Sequence, residues 1–452
     1  MNVSPTQVAA QPAPQHLPPT KPKITFFRLV FGLLVAVVIA AFVFWLFNIR
    51  QPGVSYQRTV EPVPANPQTP LVIQSPANSV PAAATTQAAD VPEKPLTTEQ
   101  TLKKHVVHLA TTIGERNLRT YDKLCDAADY IEAEYKSYGY KPARQTYQVQ
   151  GRDCFNLDVE IKGTKSPNEV VIIGAHYDSF VGTPGANDNG SGTAAMLYLA
   201  KHFAKSKPER SLRFVAWTNE EPPYFQNRGL MGSWVYAEKC RQEKQDIVAV
   251  LSLETMGFYT DAKDSQEYPK PLNLFFPSTG NFVGFVANTK SRGLQRKVIK
   301  TFRKHAKIPS EGASLPGSLA GVGWSDHWSF WQEDYAGLMV TDTAPFRYPH
   351  YHKATDTPDK INFPEMAKVV EGLKFVIEDQ AKIKPPAATP EKEQGSSKKM
   401  TDEKPRRKLL PESKKLLKTR FGNSWRPRGC YVYASRNGLI RRKLINYSLS
   451  HM

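Results

Sequence analysis

Val170–Asp178 reads VVIIGAHYD. Its apolar part has strand length and is rich in β-branched residues, the composition of a strand buried on both faces. The run then turns polar. His176 and Asp178 are two residues apart, so in an extended chain both project to the same side. A histidine with such an aspartate suits a metal ligand and a carboxylate that orients it, although one pair alone fits a structural histidine equally well.

Outward from this stretch, apolar segments of strand length recur at Leu212–Trp217, Ile247–Leu253, Leu272–Phe276 and Leu338–Val340. Amphipathic stretches lie between them at Thr193–Phe203, Met231–Arg241, Phe282–Lys304 and Pro364–Ile383. This rhythm predicts an α/β domain over residues 97–384, with a mixed, largely parallel sheet covered by helices on both faces.

The strand ends carry the chemistry. Gly185–Gly192, GANDNGSG, opens a helix at about Thr193, and Asp188 in so flexible a loop can turn inward to bridge two cations. It can equally bond to its own backbone. Asn189-Gly190-Ser191 also matches a glycosylation sequon, which a metal-site role for Asp188 makes a coincidence. Leu212–Trp217 ends in Thr218, Asn219, Glu220 and Glu221, a carboxylate pair that is costly to bury without a cation or a proton. Ile247–Leu253 runs into Glu254. Pro349, His350, Tyr351 and His352, with Asp356 and Thr357, follow the strand near Leu338–Val340. Metal-capable residues thus gather at C-terminal strand ends, where open α/β sheets place their sites.

The set HYDS, GANDNGSG, NEE, LET-x-G and YH-x-x-x-DT-x-D resembles the co-catalytic di-zinc exopeptidases of metallopeptidase family 28, related to aminopeptidase Y, over about Thr97–Lys384. The resemblance implies a zinc-exopeptidase fold (phosphorylase/hydrolase-like) and two zinc ions. It implies His176, Asp188 and Glu254 on one ion with Asp188 bridging, and Glu221 and His352 on the other. Glu220 is then the general base, Asp178 a carboxylate behind the ligands, and Tyr351 a stabiliser of the oxyanion. The His-x-x-x-Asp-Thr match favours His352 over His350, and His327, in WSDHWSFW, supports the site without ligating. The implied activity is removal of N-terminal residues from peptides. Two other readings are a glutaminyl cyclase and an inactive peptidase-like receptor or scaffold.

The ends of the chain differ from its middle. Of the formal charge of +18, residues 385–452 hold +12 and residues 1–60 hold +5, which leaves about +1 for the middle. The excess of Lys and Arg therefore gives no reason to expect nucleic acid at the catalytic domain. Residues 385–452 read as a basic, disordered tail. Leu29–Phe47 is an uncharged apolar run of 19 residues, enough to cross about 30 Å of hydrocarbon. We expect a transmembrane helix at 29–48, a cytoplasmic segment at 1–28, a flexible Pro/Ala/Thr-rich stalk at 49–96, and a catalytic domain outside the cytoplasm. The four cysteines exclude a disulfide-framework fold; Cys125 and Cys154 could pair in an exported domain.

Overall fold

The computed structural model describes residues 50–51 and 95–384. The expected membrane span, the segment before it, most of the stalk, the basic tail and Cys430 lie outside the described residues. Among the described residues no helix is long and apolar enough to cross a membrane.

Nine strands form one sheet: β1 (Arg50–Gln51), β2 (Ala143–Val149), β3 (Arg152–Ile161), β4 (Ser166–His176), β5 (Arg210–Trp217), β6 (Asp246–Glu254), β7 (Val283–Asn288), β8 (Ser310–Leu315) and β9 (Gly337–Thr341), in the order β1-β8-β7-β9-β6-β4-β5-β3-β2. The expectation of a mixed α/β sheet is met, while "largely parallel" holds only at the centre. β9-β6-β4-β5 are mutually parallel, as are β7 and β8, but β1–β8, β7–β9, β3–β5 and β2–β3 are antiparallel. The β2–β3 hairpin turns on Gln150 and Gly151, both at positive φ, which matches the twist of the strands it joins.

Alternation along β4 divides the interior. Val171, Ile173 and Ala175 face a large core built with α1 (Thr98–Val107), α2 (Tyr121–Ser137), α3 (Gly192–Phe203), α5 (Arg292–His305) and α7 (Phe363–Ala381). Val170 and Ile172 face a smaller one with α4 (Gly232–Gln242) and α6 (His327–Gln332). Gly174, on this second side, leaves room for the Trp217 indole; a Cβ there would sit 2.2 Å from the ring. Thr97 begins the folded domain with a capping box, its hydroxyl accepting from Gln100 N while the Gln100 side chain accepts from Thr97 N.

Two sequence expectations fail here. Leu272–Phe276 is not a strand. It forms a single 3-10 turn at Leu272–Leu274, because Pro269, Pro271 and Pro277 around it cannot donate to a ladder. Phe282–Lys304 is not one helix but β7 followed by α5, divided at Asn288, whose side chain accepts from Ser291 N. Arg50–Gln51, within the segment read as stalk, is an edge strand paired to Ala313 and Gly312 of β8. Cys125, Cys154 and Cys240 are all free thiols.

Candidate active site

β4, β5, β6 and β9 end on the same side of the sheet, and their continuations converge. His176 closes β4, Glu254 closes β6, Glu220 and Glu221 follow β5, and His352 lies beyond β9. Asp188 arrives from the loop after β4. All eight residues singled out from the sequence lie in this cluster or against it.

Asp188 stands between the two histidines. Its Oδ1 is 3.6 Å from His176 Nε2 and its Oδ2 is 3.2 Å from His352 Nε2. Glu254 Oε2 lies 3.2 Å from His176 Nε2 and Glu220 Oε2 lies 3.8 Å from it; Glu221 Oε2 is 3.2 Å from His352 Nε2. Two clusters with ligand atoms mutually within 4.8 Å result, His176 with Glu220 and Glu254, and Asp188 with Glu221 and His352. The expected set had Asp188 rather than Glu220 beside His176; the geometry brings both within reach of that imidazole. His350 is outside, its Nδ1 paired with Thr355 Oγ1. His327 Nε2 meets the Val322 carbonyl instead of the cluster. Asn189 is fully buried and donates to Leu253 O, so the sequon is a coincidence.

Backbone amides fix these side chains. Asp178 accepts from Glu220 N through Oδ1 and from Glu221 N through Oδ2, at 3.2 and 3.1 Å, while its Oδ1 is 3.4 Å from His176 Nδ1. Asp356 does the same for the other loop, accepting from Asn187 N and Asp188 N at 2.8 and 3.0 Å and from the Tyr348 hydroxyl. His352, at φ 55°, stacks on Phe180 at 4.0 Å and on Tyr351 at 3.8 Å between ring centroids.

Three contributors had escaped the sequence reading. Ser325 donates its hydroxyl to Glu254 Oε2 at 2.7 Å. Asp342, just past β9, accepts from Asn187 Nδ2 and from the amides of Gly257 and Phe258; a carboxylate directly after an apolar strand was a readable signal. Arg116 had none. It is fully buried and spends its guanidinium on carbonyls, including Tyr177 at 2.6 Å, Pro184 at 2.6 Å and Gly185 at 2.8 Å. It therefore ties the end of β4 to the loop that carries Asp188.

Burial drives the pKa values of Glu220 and Glu254 above the ordinary carboxylate range, with His176 opposing. Glu221 is pushed up to about 8 by burial and by Asp188. Burial acts to lower His176 and His352, yet the facing carboxylates outweigh it: Glu254 and Glu220 hold His176 well above its usual value, and Asp188 and Glu221 raise His352 to about 10. So dense a buried set calls for positive charge, supplied by protons or by cations. Glu221 Oε1 and His352 Nε2 make no hydrogen bond, and the donors are imidazole and carboxylate without thiolate. Both observations fit an open catalytic metal site rather than a closed structural one.

Beside Glu254 and Tyr351 a cavity opens on the α4/α6 side of the sheet, walled by apolar groups that include Val286, Leu315, Val322 and Phe346.

Strands that bring imidazoles and carboxylates to one rim, beside a cavity, define an α/β protein with a candidate metal centre. Comparison with known proteins makes this specific: the profile of Peptidase family M28 matches residues 156–376. The chain is 33% identical over 281 residues to the uncharacterized protein YfbL of Escherichia coli K12, covering 60% of this chain and 85% of that one. It is 34% identical over 164 residues to an aminopeptidase of Pseudomonas aeruginosa, covering 36% of this chain and 27% of that one. Among solved structures, LapB from Legionella pneumophila shares the fold, with a TM-score of 0.50, 22% identity, and coverage of 63% of this chain and 72% of that one. The chain belongs to peptidase family M28 and is a hydrolase of the peptidase class.

Proposed function

We propose that this protein is a zinc-dependent aminopeptidase that removes N-terminal residues from peptides, anchored to a membrane by residues 29–48 with the domain at 97–384 outside the cytoplasm. The observation that carries the catalytic part is Asp188, which turns one oxygen to each of two histidines that have further carboxylates beside them. His176, Asp188 and Glu254 would hold one zinc ion, and Asp188, Glu221 and His352 a second. Zinc bound there supplies Lewis-acid polarisation of the scissile carbonyl.

The rest falls to the chain's own side chains. Glu220, aligned by Asp178 through its backbone amide, takes a proton from the attacking water and returns it to the leaving amine. Tyr351 offers its phenol to the carbonyl oxygen as that oxygen gains charge. The apolar cavity receives the terminal side chain. Preference for the N-terminus is inferred from the relatives, which include an aminopeptidase of Pseudomonas aeruginosa.

The test uses the purified chain with a panel of aminoacyl and carboxy-terminal substrates, before and after chelation. Glu220→Gln is expected to lower kcat by roughly 10²–10⁴ with zinc content unchanged. Full activity in that variant rejects the assigned base. Ammonia release from an N-terminal glutaminyl peptide, without hydrolysis of other substrates, favours the cyclase reading, and a chain that binds no zinc and hydrolyses nothing favours the scaffold.

A further inference from the structure

Two clefts reach the candidate metal centre, and their linings share no residue. The apolar cavity, which takes the terminal side chain, touches the centre at Glu254 and Tyr351. The second cleft touches it at Glu221, in the other group of candidate ligands. Asn117, Arg119, Gln150 and Asn219 line this cleft beside Pro222 and Tyr224. Its two carboxylates, Asp178 and Glu221, are buried; Asp178 accepts from two amides and Glu221 faces His352. Arg119 is the one basic residue in the lining.

Hydrogen bonds pin the backbone of Arg119 to the site. Asn117 accepts from Arg119 N through Oδ1 at 2.9 Å and donates from Nδ2 to Ser179 O at 3.1 Å. Ser179 N in turn donates to Arg116 O at 3.0 Å. The two residues after Ser179 belong to the site itself: Phe180 stacks on His352, and Val181 lines the cleft. Arg152 steadies the same turn, donating to Leu118 O at 2.7 Å and lying over the Tyr121 ring. The guanidinium of Arg119 is not spent in this way. Arg119 is exposed, and among the described residues its side chain makes no hydrogen bond or ion pair.

We propose that this cleft receives the leaving part of the substrate and that Arg119 binds the α-carboxylate of a di- or tripeptide, which makes short peptides with a free C-terminus the preferred substrates. The inference rests on the aminopeptidase reading of the site. A guanidinium presents paired donors that match the two oxygens of a carboxylate. With the first residue in the apolar cavity at Glu254, the remainder of the peptide extends to the Glu221 side, where Arg119 is the cation available to its terminus. Each further residue carries that terminus away by up to about 3.8 Å, which withdraws the contact from longer peptides.

The experiment measures KM of the full-length chain for leucylalanine and its amide, and for leucyl-tetraalanine and its amide. For the dipeptide, KM of the acid is expected to lie roughly 3–10-fold below that of the amide; for the pentapeptide the two should agree. Arg119→Gln is expected to equalise the dipeptide pair, Arg119→Lys to keep part of the difference, and Arg119→Glu to invert it. Each comparison sets two substrates against one preparation, so a partly misfolded variant leaves its KM ratio intact. Equal KM for dipeptide acid and amide in the wild-type chain, or a ratio unchanged in Arg119→Gln, overturns the carboxylate site and leaves the aminopeptidase standing. The same preference for acid in the pentapeptide overturns the restriction to short peptides. Failure to hydrolyse any of the four substrates overturns the aminopeptidase and the carboxylate site together.

Discussion

Asp178 touches two backbone amides and an imidazole edge, and its contribution is geometric. Asn at this position presents an NH2 group to one of the N–H donors it should accept from. Asp178→Asn is expected to cost about 10–100-fold in zinc affinity or in kcat, read from a zinc titration beside steady-state kinetics. Arg116 is a different case, since Arg116→Met takes the guanidinium donors from the buried Tyr177 and Pro184 carbonyls, while Gly185 O keeps only Gly190 N. A loss above about 4 kcal/mol is expected in urea denaturation, because the guanidinium bonds to both Tyr177 O and the Pro184–Gly185 carbonyls. The two residues also differ in legibility. Asp178 could be read from its spacing to His176, while Arg116 is a lone arginine in a loop, whose shortest bonds go to segments more than sixty residues away. Local spacing writes itself into sequence; a partner met only on folding does not.

At the scale of elements, the strands that deliver the candidate ligands were the readable ones. β4, β5, β6 and β9 are buried on both faces and leave continuous apolar runs, and each run breaks at a polar residue where the sheet stops. The antiparallel flanks were less visible, because β2 alternates exposed and half-buried positions and offers no such run. Leu272–Phe276 shows the opposite error, an apolar run whose prolines mattered more than its hydropathy. Packing between elements also fixes positions that sequence leaves blank. At Gly174 a methyl group would enter the Trp217 ring, so Gly174→Ala is expected to destabilise by about 1–3 kcal/mol or more. A lower denaturation midpoint with an unchanged m-value would register it. Since β4 carries His176 two residues on, the same variant should also weaken zinc binding.

For the whole molecule, stability should depend on pH through histidines that folding keeps neutral. His105 is buried among Tyr130, Tyr138, Glu134, Lys104, Lys201 and His108, and burial lowers its pKa from 6.5 to about 4, against the pull of Glu134. The unfolded chain binds a proton below about 6.5 that the folded chain refuses until about 4. Stability from this group is therefore complete above 6.5 and is lost as pH falls to 4, on the order of 3 kcal/mol. Denaturation curves for wild type and His105→Gln at pH 4, 5 and 7 should differ in slope across that window; parallel curves would refute the assignment. The edge strand has a consequence of another kind, in the order of synthesis. Arg50 pairs with Ala313, so a chain emerging from a ribosome completes its first strand long before that strand's partner exists. Until residue 313 appears, β1 waits with unpaired N–H and C=O groups, and among the described strands only β9 is made after β8, the partner of β1. A contact so distant in sequence slows folding. It also ties closure of that edge to the synthesis of β8, so that a chain cut short before β8 has no way to finish its own edge.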